Sequence, residues 1–374
     1  MKINSAVLRK MGEEKPYKMS QPLQVEQVEL EEPGIGEVQV KMIAAGLCHS
    51  DLSVISGVRP RPLPMSLGHE ASAEIIKVGP NVKNLKVGQK VVLIFVPSCG
   101  QCTPCREGRP ALCEPGNAAN AQGVLLNGGS KLKSAHDSIH HHCGISAFSE
   151  YAVVSENSCI PIGDDLDPVE AAVFGCAVLT GVGTVVNTAK ITAGSSALIV
   201  GLGGVGLSGL LGAIASGAYP IVVADLNQDK LNLALELGAT YAVNVGDVDA
   251  VEQVKKLTNG GVDFAFEFAG AVAAMQFAYN STRRGGTTVT AGLPHPEAIW
   301  PIHQLTITAE ERTIKGSYIG SSIPSRDIPR YIALYQAGKL PIHKLIGKKI
   351  KLNEINEGFD RLSSGESLRD LIVF

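Results

Sequence analysis

The sequence has no cysteine after Cys176, a single tryptophan, only 5% aromatic residues and only 18% charged residues. Each shortage excludes something. With 33 lysines and arginines against 36 aspartates and glutamates, the formal charge is −3, so no basic excess exists to neutralise a phosphate backbone or anchor the chain to lipid. Nucleic acid and membrane surfaces are poor first readings. Scarce charge together with 45% hydrophobic residues also excludes extended disorder. The opening MKINSAVLRK carries charges at Lys2, Arg9 and Lys10 and no apolar run, so no secretory signal is expected and the cytoplasm is the default. Residues 191–224 carry no charge and are long enough to span a bilayer, but eight glycines and a proline interrupt them. The expectation there is a buried strand, a turn and a buried helix.

What is present is length for about two domains, 41 glycines, and eight cysteines confined to the first half. In a chain read as cytoplasmic, such cysteines point to metal ligands before disulfides. Up to about residue 160, short apolar runs at 23–28, 37–43, 70–78 and 89–95 are broken by Gly and Pro turns, which predicts an antiparallel β domain. Beyond residue 168 the pattern changes. Extended segments at 197–202, 221–224, 242–244, 264–268 and 287–291 alternate with helical ones at 206–216, 229–237, 251–257 and 271–281. Alternation of this kind predicts an α/β unit with a parallel sheet covered on both faces. Helices at 328–337 and 353–363 and a closing strand at 371–374 follow, and periodicity alone leaves open which domain takes them.

Gly201-Leu202-Gly203-Gly204-Val205-Gly206 fits G-x-G-x-x-G between a predicted strand and a predicted helix. The first glycine permits the tight turn, the second lets backbone approach a pyrophosphate, and the third lets helix and strand pack closely. Asp225 ends the next predicted strand, 24 residues after Gly201. An acid there accepts hydrogen bonds from ribose hydroxyls and repels a 2′-phosphate, which favours NAD over NADP.

Cys99, Cys102, Cys105 and Cys113 give C-x2-C-x2-C-x7-C. Four thiolates this close suit one structural zinc, although iron–sulfur clusters use similar spacings. A closed four-sulfur site stabilises and does not catalyse. Cys48-His49-Ser50-Asp51, Gly68-His69-Glu70 and Gly175-Cys176 are too scattered for spacing to decide between a Cys/His/Cys metal site and three ordinary packed residues.

These motifs together resemble the zinc-dependent alcohol dehydrogenases of the medium-chain dehydrogenase/reductase superfamily, in order and over essentially the whole chain. The resemblance extends from Gly34-Ile-Gly-Glu-Val through Gly46-Leu-Cys-His-Ser-Asp51 and Gly68-His-Glu70 to Ile355-Asn-Glu-Gly-Phe359 and Ser367-Leu-Arg369. It implies a GroES-like β-barrel catalytic domain at 1–177 and 321–374, with the structural zinc lobe at about 97–115, and a Rossmann-fold coenzyme domain at 178–320. It implies two zinc ions per subunit and NAD. Cys48, His69 and Cys176 become catalytic zinc ligands, Asp51 the acid orienting His69, and Glu70 a carboxylate close behind the metal. Ser50 takes the alcohol proton, and His49 and Arg369 contact the pyrophosphate. Gly201, Gly203, Gly204, Val205 and Gly206 cradle that pyrophosphate, and Asp225 and Lys230 reach the adenosine ribose. Ser53 stands where a relay histidine is found in the best-known animal enzymes, so proton exit is expected directly to water or through His49.

Phe95, His142, Cys143, Thr180, Leu293 and Ile319 match the family's pocket, with Thr180 and Leu293 also counted among the coenzyme contacts. This mostly apolar set suits a primary alcohol with an aliphatic or aromatic tail. Arg59 stands where relatives that oxidise the glutathione adduct of formaldehyde carry an acid, which disfavours that rival activity. A polyol dehydrogenase is disfavoured by Cys176 where a glutamate is common. A non-catalytic NAD-binding or redox-sensing protein is the reading from another class. His140, His141 and His142 are adjacent and are not expected to converge on an ion, and Cys159 reads as a small buried hydrophobe. A homodimer joined through an edge strand at 316–319 or the strand before it is expected, with a tetramer as the alternative.

Overall fold

The structure is a computed structural model and describes residues 1–135 and 137–374. It divides into one unit of Met1–Cys176, Ile323–Ile332 and His343–Phe374, and a second of Ala177–Ser322 and Ala333–Ile342. The resemblance implies that all of 321–374 joins the first unit. The structure groups Ser321, Ser322 and Ala333–Ile342 with the second unit instead, a division that periodicity could not resolve because the same helix, Pro324–Gln336, continues through it.

The first unit is built from two sheets. A closed barrel joins Lys2–Leu8, Leu23–Leu30, Leu132–Lys133, Ser138–His141 and Met65–Ser66. A seven-stranded sheet centres on the long strand Glu37–Gly46, which pairs antiparallel with Ala71–Val78, Tyr151–Ser155 and Leu371–Val373. Alternating burial drives these strands, since a period of two puts every second side chain on one face. Met42, Leu47, Leu67, Ile75, Phe148 and Phe359 belong to the resulting core. Most pairings are antiparallel as the alternation predicts. Among the described residues two are parallel: Met65–Ser66 with Ser138–His141, and Lys349–Ile350 with Leu371–Val373.

The second unit carries a six-stranded parallel sheet in the order Tyr241–Asn244, Ile221–Asp225, Ala197–Val200, Val262–Glu267, Thr282–Thr290 and Thr313–Gly316. Ala197–Val200 is wholly buried, as a central parallel strand with both faces covered must be. The uncharged stretch 191–224 resolves into strand, turn, helix Gly204–Ala215 and strand, and among the described residues no single helix is long and apolar enough to cross a membrane. Strand order reverses between the neighbours Ala197–Val200 and Val262–Glu267, and ligands of open α/β sheets bind outside the carboxyl ends at such a point.

Candidate active site

Cys48 follows the strand Glu37–Gly46 and caps the helix His49–Ile55 in extended backbone (φ −125°, ψ 150°). Asp51, three residues on, accepts the Cys48 N–H through Oδ2 at 3.2 Å, the return half of a capping box. One short spacing therefore projects a thiol and buries a carboxylate beside it. Gly68, with φ +93°, brings His69 in from the other side. A Cβ there would stand 2.6 Å from the Phe148 backbone nitrogen, so only glycine allows the approach. Cys176 follows the 3₁₀ turn Ala172–Gly175.

The three ligand atoms lie within 4.8 Å of one another, and all three residues are buried. Cys176 Sγ is 3.5 Å from His69 Nε2, while His69 Nδ1 is 3.0 Å from Asp51 Oδ1. The carboxylate thus favours a hydrogen on Nδ1 and leaves the Nε2 lone pair facing the thiols. The Cys176 thiol on Cys48, aided by the charges of Arg369 and His69, holds Cys48 well below its ordinary range; Cys176 is correspondingly held high. Burial opposes a charge on His69, but Asp51 and Cys48 outweigh it and raise its pKa. Burial likewise opposes ionisation of Asp51, and His69 with His142 overcomes it, keeping the carboxyl below its usual range. Two thiols and one oriented imidazole, convergent and buried, fit zinc and leave the fourth position of a tetrahedron for a small oxygen ligand.

Glu70 is buried behind this cluster, and its Oε2 is 3.0 Å from Arg369 Nη1, which also donates to the Leu47 carbonyl at 2.9 Å. The resemblance implies a pyrophosphate contact for Arg369, an expectation that an ion pair with Glu70 does not oppose. Here its guanidinium is buried in an ion pair with Glu70, as a charge withdrawn from water requires. Ser50 is half-buried and His49 exposed on the first turn beyond Cys48, while the Ser53 hydroxyl donates to the His49 carbonyl at 2.8 Å.

Phe95 stands edge-on to the His69 ring at 5.2 Å between centroids, and His142 does so at 5.4 Å. Cys143 is half-buried next to it, with φ +53°. Thr180, Leu293 and Ile319 belong to the second unit: Thr180 half-buried, Leu293 exposed, Ile319 buried. The three adjacent histidines do not converge. Strand Ser138–His141 alternates in burial; His141 points inward, bonded to Ser146 and to the Lys131 N–H, and His142 turns toward Asp51 at 3.1 Å. That second histidine on Asp51 was missed from sequence, where the run itself was the signal.

Cys99, Cys102, Cys105 and Cys113 also bring their sulfurs within 4.8 Å. Backbone N–H groups of Gln101 and Cys102 donate to Cys99 Sγ at 3.4 and 3.3 Å and lower that thiol to about 6, while burial pushes Cys105 up to about 12. Cys99 N–H and Gly116 N–H donate to Cys113 Sγ at 3.2 and 3.4 Å. Sulfurs so convergent, and already receiving backbone donors, fit one closed metal site.

In the second unit Gly201 has φ +87°, and a Cβ on Gly206 would fall on the Gly201 carbonyl oxygen, so turn and helix touch at their backbones. A Cβ on Gly203 would meet nothing within 4 Å, and the helix Gly204–Ala215 has no side-chain cap. This open N-terminus fits a pyrophosphate. Asp225 accepts the Leu202 N–H at 2.7 Å and the Asn227 N–H at 2.9 Å, which holds its carboxylate beside the turn. Lys230 lies half-buried on the following helix, its N–H capped by Asn227 Oδ1.

A barrel unit with a buried Cys/His/Cys cluster and a four-cysteine lobe, together with a nucleotide-binding sheet, defines a metal- and nicotinamide-dependent oxidoreductase. Residues 34–164 match the alcohol dehydrogenase GroES-like domain, and residues 204–337 match the zinc-binding dehydrogenase family. An alcohol dehydrogenase zinc-binding domain protein from Burkholderia ambifaria is 34% identical with a TM-score of 0.94, covering 100% of this chain and 99% of its own. Benzyl alcohol dehydrogenase from Acinetobacter calcoaceticus is 33% identical with a TM-score of 0.93, over the same shares. A zinc-binding dehydrogenase of Sinorhizobium meliloti, solved with NADP bound, is 26% identical over 100% of both chains, with a TM-score of 0.82. The chain belongs to the zinc-dependent alcohol dehydrogenases of the medium-chain dehydrogenase/reductase superfamily.

Proposed function

We propose that this chain interconverts a primary alcohol and its aldehyde, with secondary alcohols and ketones as the wider class, using NAD as the hydride acceptor and two zinc ions per subunit. The observation that carries the reading is the buried Cys48, His69 and Cys176 cluster with Asp51 on His69 Nδ1. Zinc bound there supplies a Lewis acid that lowers the pKa of an alcohol hydroxyl, and NAD takes the hydride. The remaining work falls to side chains. Asp51 holds the His69 ring, Ser50 accepts the hydroxyl proton at Oγ, and exposed His49 or water carries it away. Phe95, against the His69 ring, presents an apolar wall that suits an aliphatic or aromatic tail. Benzyl alcohol dehydrogenase among the relatives supports the aromatic choice. Asp225, beside the glycine turn, supports NAD over NADP.

The test is zinc content per chain, paired with NADH formation on ethanol, hexanol, benzyl alcohol, and glutathione plus formaldehyde. Near two zincs with turnover on an alcohol is expected. Turnover on glutathione plus formaldehyde far above that on simple alcohols would replace the substrate assignment. One zinc without turnover would leave a non-catalytic relative.

A further inference from the structure

We propose that His142 is a positioning residue for the metal centre, acting on His69 through Asp51. The inference rests on reading Cys48, His69 and Cys176 as metal ligands. Asp51 Oδ1 lies 3.0 Å from His69 Nδ1 and 3.1 Å from His142 Nδ1. The same oxygen accepts the Gly68 N–H at 3.3 Å, and Oδ2 accepts the Cys48 N–H at 3.2 Å. All three side chains are buried. An ionised carboxylate only accepts, so both ring nitrogens facing it carry hydrogens. Two ring nitrogens therefore lie within 3.1 Å of one oxygen, the His69 contact as a hydrogen bond and the His142 contact as a charge approach.

His142 Nδ1 is out of line for a well-formed hydrogen bond to Asp51, and among the described residues no other acceptor takes it. A buried N–H in that state is costly, and the Asp51 charge beside it is what offsets the cost. The main chain fixes the ring in place. His142 N–H donates to the Ser66 carbonyl at 3.1 Å, and its own carbonyl accepts the Ile145 and Ser146 N–H groups at 3.0 and 3.2 Å. Met65–Ser66 and Ser138–His141 pair in parallel immediately before these contacts. His142 thus reaches Asp51 from just past a strand end pinned by backbone hydrogen bonds and stands edge-on to the His69 ring at 87°, as Phe95 does at 82°. Backbone donors hold the two carboxylate oxygens from the Cys48 and Gly68 side. His142 supplies a second side chain against Oδ1, which limits rotation of the carboxylate and so of the ligand ring it orients.

The test uses the full chain loaded with zinc. Retention at both sites is measured by competition with a chromophoric chelator, and cobalt(II) exchanged into the Cys48 site reports ligand geometry through its absorption bands. His142→Leu removes the N–H; His142→Asn keeps one near the position of Nδ1. Outer-sphere partners of this kind change metal affinity by about 10- to 100-fold, and a loss of that size at the Cys48 site, with shifted cobalt bands, is expected for His142→Leu. His142→Asn should keep wild-type bands and retention, and the four-cysteine zinc should be unchanged in both. Wild-type retention in His142→Leu would overturn the proposal. Equal loss in His142→Asn would also overturn it, because the ring and not its N–H would then matter. Should His142→Leu fail to fold, His142→Phe carries the same test with a ring beside His69 and no N–H. A wild-type chain holding only the lobe zinc would sink the metal-centre reading itself, which separates that failure from a failure of the role given to His142.

Discussion

At the residue scale, the proposed chemistry turns on one buried cysteine, Cys176. Cys176→Ser replaces one soft ligand of the Cys48, His69 and Cys176 set while keeping its volume nearly constant. Activity should fall to background with a melting temperature close to wild type, and retained turnover would refute the ligand assignment. Asp225 makes a second prediction at this scale. Its carboxylate stands beside the glycine turn, bonded to the Leu202 and Asn227 N–H groups. Asp225→Gly removes both the hydrogen-bond acceptor and the repulsion of a 2′-phosphate, so the ratio of kcat/KM for NAD over NADP should drop by at least about ten-fold, roughly 1.4 kcal/mol. An unchanged ratio would remove Asp225 from coenzyme selection. The backbone bonds it also makes predict a small loss of thermal stability in the same variant.

Among elements, the four-cysteine lobe has little apolar core of its own, and the proposed structural zinc would take its place. Only Ala111 and Cys113 are buried between Cys99 and Cys113. Cys105→Ser should therefore lower the melting temperature or the soluble yield, because metal binding supplies the folding energy that apolar packing does not. A melting curve identical to wild type would count against structural zinc. In the coenzyme sheet, Asp263 ties two neighbouring strands at their starts. It accepts from the Ser196 N–H at 2.8 Å, the Ser196 hydroxyl at 2.6 Å and Arg283 Nε at 2.7 Å. Burial opposes its ionisation, but Ser196 and Arg283 outweigh that and lower its pKa. A lowered folded-state pKa means stability that is present above the unfolded value, near 3.9, and lost as pH falls through the folded one. Asp263→Asn should cost about 1 to 2 kcal/mol at pH 7, with the gap to wild type closing below about pH 4. A gap independent of pH in urea denaturation would argue that shape, not charge, matters there.

At the scale of the whole molecule, an edge strand needs an explanation. Among the described residues Thr313–Gly316 pairs on one side only, with Thr282–Thr290, and Thr313 and Ile314 are exposed. Such an edge invites pairing with another chain. We propose a homodimer that continues the sheet through this strand, with a tetramer as the alternative. Ile314→Lys should shift sedimentation equilibrium toward the monomer at micromolar concentration. A wild-type monomer under the same conditions would dispose of the idea.

Residue order alone determined the alternation of strands and helices, because periods of two and 3.6 depend only on which side chains are apolar. The extended segments expected at 197–202 and 221–224 stand as Ala197–Val200 and Ile221–Asp225. The glycine turn was equally legible, since its spacing reflects one local backbone path. The four-cysteine cluster was legible for the same reason. The Cys48, His69 and Cys176 cluster was not, because residues up to 128 positions apart meet only after Glu37–Gly46 has paired and Gly68 has let the chain pass Phe148. Family resemblance supplied it in advance of any physical argument. Nor could sequence show that His142, and not His140 or His141, faces Asp51, or that Arg369 pairs with Glu70. Those are long-range choices. Tertiary packing makes them, because a buried charge or ring nitrogen takes whichever partner the folded backbone brings within 3 to 3.5 Å, and that distance is not written in sequence separation.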